Sequence, residues 1–215
     1  VLRQSLLGRL ATDSNDRPES ACRPFDATHA GTVMGEGGGL LIIEDADRAK
    51  ARGIHAYAEI AGFGAACDPN GINVTEPNCG SLDLAVSKAI ADAGITPGDI
   101  DLIVAQGTGV PGEDRCEAEA WEKVFGDDLP DIPAMAITGA TGSMFAGQSG
   151  VTLVAGALAI WNQTVAPTVN FSSPDEGCRL SLGGERRKCD INYAVVGAFS
   201  VGGQSAACVL KRCES

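Results

Sequence analysis

A short apolar run, Asp101–Ala105, passes straight into Gln106-Gly-Thr-Gly and then into a charged amphipathic stretch, Glu113–Phe125, that stops at Gly126. A brief apolar run bounded by turn residues reads as a buried strand, whereas apolar residues recurring every three or four positions read as a helix with one face inward. A buried strand has two faces to shield, so strand, tight glycine turn and amphipathic helix together call for a sheet layered with helices. The same alternation recurs along the chain. Ser81–Ala93 has helical periodicity through Leu82, Leu84, Ala85 and Ile90 and meets Gly94, a good C-terminal cap. Ala134–Thr138 predicts another short strand, Gln148–Trp161 a nearly all-apolar helix that must be buried, and Tyr193–Phe199 with Ser205–Leu210 a closing strand pair around Val-Gly-Gly. Upstream, Asp45–Arg52 predicts a helical connector, His55–Ala65 a strand and Cys67–Cys79 a loop. The fold class is α/β, with helices on both faces of one sheet and an antiparallel pair at its end.

Residues 1–31 are polar and rich in turns, and Thr32–Glu44 runs through Gly-Glu-Gly-Gly-Gly into Leu-Leu-Ile-Ile, which predicts a fully buried strand. A phosphate-binding loop is the other use of such glycines. Here they precede a strand instead of a helix N-terminus, so tight backbone packing is the better reading.

Composition narrows the function classes. A formal charge of −12 argues against generic nucleic-acid binding and against an anionic membrane surface. The basic groups Arg48-Lys50-Arg52, Arg186-Arg187-Lys188 and Lys211-Arg212 read first as solvated faces, with docking of an acidic partner as the alternative. No apolar run reaches the roughly 18 residues of a membrane span, and the chain opens without an initiator Met or a signal sequence, as if cut from something longer. Eight cysteines contain no CxxC pair and only two histidines could help them hold metal, so we expect reduced, mostly buried thiols in a cytoplasmic protein, with no metal and no cofactor. His29 in a polar turn and His55 in a predicted strand are both expected to be structural or exposed, not catalytic.

Seven motifs in order carry a family resemblance: Arg23-Pro-Phe-Asp26, Val33-Met-Gly-Glu-Gly-Gly-Gly39, Ala91-Asp-Ala-Gly-Ile95, Asp114-Arg-Cys-Glu117, Pro167-Thr-Val-Asn170, Pro174-Asp-Glu-Gly-Cys178 and Gly202-Gly203. With Gln106-Gly-Thr-Gly and Thr141-Gly-Ser-Met-Phe-Ala-Gly147, the chain resembles the C-terminal half of a β-ketoacyl-acyl carrier protein synthase over nearly its whole length. The resemblance implies a thiolase-like layered α-β-α-β-α fold, with residues 1–45 the tail of an N-terminal half and residues 46–215 the C-terminal half. It implies a nucleophilic Cys upstream of this chain, two histidines and a lysine. The histidine positions fall here on Gln106 and Ser143, the lysine on Thr138 and an aromatic gate on Val201. Gln106 cannot take up a proton near neutral pH, and Ser143 is no better as a base unless something activates it.

The variant most similar is the chain length factor of type II polyketide synthases, which pairs with an active ketosynthase and shapes the cavity for the growing acyl chain. Chain length factors tend to keep the lysine that Thr138 replaces, and a divergent condensing enzyme that polarises a carbonyl with Gln106 or Ser143 is the alternative. The implied partners are an acyl carrier protein and either an active ketosynthase subunit or a missing N-terminal half, in a homo- or heterodimer, with no nucleic acid and no membrane. Gln106, Thr108, Ser143, Phe145 and Val201 are the expected acyl-pocket residues. Asp114 and Glu117 stand three apart on one helix face, where they either cap the helix or hold a water or cation.

Overall fold

The computed structural model describes residues 1–68, 81–200 and 202–213. Its centre is a five-stranded sheet in the order β1 (Glu59–Cys67), β7 (Gln204–Lys211), β6 (Tyr193–Phe199), β2 (Leu102–Val104) and β3 (Ala134–Met135). β2 runs parallel to β3 and β6, while β7 is antiparallel to both β6 and β1. β4 (Thr164–Val165) and β5 (Arg187–Lys188) form a separate antiparallel pair. The helices are α1 (Leu2–Leu6), α2 (Ala46–Ala51), α3 (Leu82–Asp92), α4 (Pro111–Phe125), α5 (Thr138–Thr141) and α6 (Gln148–Asn162).

Strand alternation sorts the core into two layers. Ile103, Val195 and Val209 point to the side of α3 and α4, and Leu102, Val104, Val196 and Leu210 to the side of α6. The first layer is closed. Leu82, Ala85, Val86, Ala89 and Ile90 of α3 are all buried against it, and Trp121 and Phe125 of α4 stack with ring centroids 6.1 Å apart. Two glycines of β1 let α3 lie on the strand backbone: a Cβ at Gly64 would stand 2.0 Å from the Ala85 carbonyl oxygen, and one at Gly62 2.2 Å from that of Ala89.

Among the described helices only α6 covers the second layer, with Val165 and Ile191 beside it. That helix buries one line, Gln148, Thr152, Gly156, Ala159 and Ile160, but leaves Leu158 and Trp161 42% and 48% exposed, so the expected all-round burial is corrected. Among the described residues no second layer lies beyond it. Phe63 of β1, which pairs with Cys208, is 58% exposed on the same side.

Three other expectations are corrected. Leu40–Glu44 forms no strand; Leu40, Ile42 and Ile43 are between 73% and 91% exposed, because the segment pairs with neither edge strand of the sheet. The strand expected at His55–Ala65 begins at Glu59 and runs to Cys67; His55 and Tyr57 precede it and pack on Trp161 at 5.9 and 5.1 Å. The strand expected at Ala134–Thr138 ends at Met135, and Thr138 opens α5. Beyond Asp68, the predicted 67–79 loop lies outside the described residues. Residues 1–45 do not join the five-stranded sheet; their contacts with the remainder include isolated bridges of Asp26 with Pro174 and Met34 with Ser143. No helix among the described residues is long and apolar enough to cross a membrane.

Candidate functional site

β2 and β3 are parallel neighbours, so the loops that follow them leave the sheet at the same end. The loop after β2 carries Gln106, and α4 begins at Pro111, whose missing N–H suits the first helical position. Asp114 and Glu117 project from the buried face of α4, 1% and 0% exposed. Neither caps the helix, whose N-terminus has no side-chain cap. They reach back to the loop instead. Glu117 accepts hydrogen bonds from the Gln106 and Gly107 amides, each at 2.8 Å, and from the Trp121 indole N–H at 3.2 Å. Asp114 accepts from the Thr108 amide at 2.8 Å, the Gly109 amide at 3.1 Å and the Phe25 amide at 2.8 Å. Four consecutive amides, 106 to 109, thus end on two carboxyl groups. Burial pushes the Glu117 carboxyl up to about 7, with the Asp114 charge adding to it, against the lowering effect of its three N–H donors.

The loop's shape requires glycine at 107. Its φ is +52°, and a Cβ there would meet Phe25 and Ala136 at 2.8 Å. The Thr138 hydroxyl donates to the Gly107 carbonyl and so closes the loop from below. The Gln106 side-chain oxygen accepts from the Phe199 amide at 2.8 Å, which ties the side chain to the end of β6. The Thr108 hydroxyl accepts from the Val110 amide at 3.2 Å.

Ser143 sits one step away. The Gly142 amide donates to the Thr138 carbonyl at 2.8 Å, and Ser143 lies in an extended bridge, its amide donating to Val33 at 2.7 Å and its carbonyl accepting from Gly35 at 2.9 Å. Phe145 has φ +51° and lies under the Arg9 guanidinium, 5.6 Å from its ring centroid; Arg9 is itself paired with Glu113 at 2.6 Å. The glycine-rich arm explains itself here: a Cβ at Gly35 would stand 2.1 Å from the Thr141 carbonyl oxygen and one at Gly39 2.2 Å from that of Gly150. Backbone lies on backbone.

Gln106, Thr108, Asp114, Glu117 and Thr138 are therefore brought together by direct hydrogen bonds, Ser143 joins them through the α5 turn, and Phe145 lies apart with Arg9. Val201 lies outside the described residues. One cavity of about 200 Å3 is lined by Phe25, His29, Asp114, Asp175 and Cys178 among others, and another of about 180 Å3 by His55, Tyr57, Trp161 and Arg212 among others. Of the expected acyl-pocket residues neither contains Gln106, Thr108, Ser143 or Phe145. Sequence reasoning missed His29, whose side chain is 4% exposed and lies 3.0 Å from Asp114. Nothing local announces it, since its partner is 85 positions away. Burial keeps the thiols of Cys22, Cys178 and Cys208 protonated, pushing the last two up to about 11.

A layered sheet whose parallel strands end in carboxylate-held glycine loops has the architecture of thiolase-like ketosynthases, and solved structures agree over nearly the whole chain. A structure described as the ishigamide ketosynthase/chain length factor superposes with a TM-score of 0.90 at 28% identity, covering 99% of this chain and 50% of that one. A type II polyketide synthase acyl-carrier protein in complex with its ketosynthase bound to the hexaketide gives 0.92 at 28% identity, over 98% and 52%, and a β-ketoacyl synthase from Burkholderia phymatum gives 0.89 at 28%, over 99% and 51%. The model of the β-ketoacyl synthase C-terminal domain matches residues 57–172, over half of the sequence, and the chain belongs to that family. It is 36% identical over 206 residues to 3-oxoacyl-[acyl-carrier-protein] synthase 2 of Staphylococcus aureus and 35% identical over 205 residues to that of Coxiella burnetii, in each case over 95% of this chain. The chain spans about half the length of these curated relatives, 50% of each.

Proposed function

We propose that the chain is the C-terminal half of a non-catalytic, chain-length-factor-type subunit that shapes the acyl cavity of a partner ketosynthase. One observation carries this reading: Gln106, at a position where the family resemblance calls for a histidine, has its carbonyl oxygen committed to the Phe199 amide and offers only an amide NH2 to anything beyond. An amide has no proton equilibrium near neutral pH, so the group can orient a carbonyl but cannot act as an acid or base. Thr138 and Ser143 add no base, and Glu117 is spent on the loop's own amides. The exposed Leu158 and Phe63 support a further layer beyond α6, which an N-terminal half would supply, with residues 1–45 as its tail. An acyl carrier protein and an active ketosynthase, the components named for two of the structural neighbours, are the proposed partners.

The competing reading is a divergent 3-oxoacyl synthase, favoured by the names of the curated relatives. Decarboxylation of a malonyl-loaded carrier separates the two. The full-length protein should release no carbon dioxide above background alone, and should change the product length distribution of an active ketosynthase when the two are combined. Release at the rate of an ordinary synthase, abolished by Gln106→Ala, would establish the enzyme instead.

A further inference from the structure

His29 is buried between two carboxylates supplied by different parts of the fold. Its Nδ1 lies 3.0 Å from Asp114 Oδ2 and its Nε2 3.4 Å from Asp175 Oδ2. Asp114 is the carboxylate that holds the Thr108, Gly109 and Phe25 amides. Asp175 belongs to the 171–178 loop, which is stitched to the turn at residues 23–29: its own amide donates to the Phe25 carbonyl at 2.9 Å, and Asp26 accepts from the Ser172 and Ser173 amides at 2.7 and 3.1 Å. The imidazole therefore stands where three segments meet: the N-terminal turn, the start of α4 and the 171–178 loop.

A neutral imidazole has one N–H and can donate to only one of these carboxylates, leaving a lone pair facing the other; an imidazolium donates to both. We propose that His29 is a protonation-dependent clamp: charged, it ties Asp114, which holds the loop that carries Gln106, to Asp175 of the 171–178 loop; neutral, it keeps Asp114 and lets Asp175 go. Asp175 is the partner released because its contact is the longer and its side chain the more exposed, 18% against 1% for Asp114, and because Arg115, 3.4 Å from the same oxygen, can hold it alone. The link from clamp to loop is direct. Gly31, two residues on, donates its amide to the Gly109 carbonyl at 2.9 Å, and the Phe25 amide ends on Asp114.

The charged groups around the imidazole favour its protonated form on balance. From α4 it faces Asp114 and Arg115, with Glu119 and Glu122 lining the same cavity; from the 171–178 loop it faces Asp175, with Glu176 and the Cys178 thiol beside it. On its own turn, Asp26 is held well below the usual carboxylate range by its hydrogen bonds to Thr28, Ser172 and Ser173, which outweigh burial, and Arg23 is turned to Thr28. Burial by itself would lower the histidine, but the hydrogen bond and charge of Asp114, with Asp175 adding and Arg115 opposing, push it up. Since the folded value lies above the unfolded one of about 6.5, the clamp contributes in full below that pH and is lost as pH rises through the folded value.

The test is an NMR titration of the imidazole ring in the full-length protein, with the His29 signal assigned by its absence from the His29→Gln variant. We expect a midpoint above about 6.5, moved down by Asp175→Asn, and a thermal midpoint advantage of wild type over His29→Gln that is present at pH 6 and shrinks by pH 9. A His29 midpoint at or below the ordinary value, or one unmoved by Asp175→Asn, would overturn the clamp. The titration and its Asp175→Asn comparison stand even if His29→Gln folds poorly, because a through-bond assignment of the ring from the His29 backbone serves equally.

Discussion

The two tryptophans mark the two faces of one sheet. Trp121 is fully buried on the side of α3 and α4, packed against Gly197 so closely that a Cβ there would stand 2.7 Å from its ring, and its indole N–H is bound to Glu117. Trp161, at the end of α6, is 48% exposed, and its ring contacts among the described residues are with His55 and Tyr57 from the chain before β1. The closed face is a finished core that also steadies the Gln106 loop through Glu117. The other face has apolar side chains of the same kind with fewer neighbours, and what a side chain contributes depends on those neighbours more than on its type.

The contrast is most exposed to a pair of truncations. Trp121→Ala should destabilise the chain by about 3–5 kcal/mol, and Trp161→Ala by less than about 1 kcal/mol; urea unfolding followed by circular dichroism measures both, and similar losses would erase the distinction. Next in size, Asp114→Ala strands the Thr108, Gly109 and Phe25 amides without an acceptor, at roughly 1–3 kcal/mol for each buried donor left unsatisfied. A loss near 3 kcal/mol or above is expected in the same assay, where Asp114→Asn, which keeps one acceptor oxygen, should lose less.

Glu117 tests whether the closed face also stores charge. Its folded value of about 7 exceeds the unfolded one near 4.5, so the folded state holds the proton longer. The contribution is most favourable below about pH 4.5 and is lost as pH rises through about 7, by an amount on the order of 3 kcal/mol. Glu117→Gln has no such proton, and its stability should vary less with pH across that window when the two profiles are subtracted. The smallest effect belongs to the open face: Phe63→Ser should change the stability of this chain by less than about 0.5 kcal/mol. A larger loss in the full-length protein would show that another layer covers Phe63 there.

The closed face was the more legible in the sequence. Asp101–Ala105, the Ser81–Ala93 helix and the Glu113–Phe125 helix are found within one or two residues of their predicted limits, because each pattern is satisfied by contacts its own period dictates. Leu40–Glu44 was misread for the converse reason, whereas the strand expected at His55–Ala65 is present and only its start lies later, at Glu59. Leu-Leu-Ile-Ile is apolar enough for a buried strand, but a strand also needs a neighbour to pair with, and hydrophobicity does not say whether one exists. At the site, the spacing of Asp114 and Glu117 placed both on one helix face, yet their partners are backbone amides of a folded-back loop, invisible to side-chain patterns. His29 was hidden more deeply, since its surroundings come from segments remote in the chain.

The glycines at 35 and 39 have a consequence for the order of synthesis. Their seats are the Thr141 and Gly150 carbonyls, made long after them by the ribosome, and contacts so distant in sequence form late. Until α6 exists the arm has nowhere to lie, and Leu40-Leu-Ile-Ile43 emerges bare behind it. The backbone-tight seat that orders the arm in the finished molecule is therefore among the last parts of this chain to form.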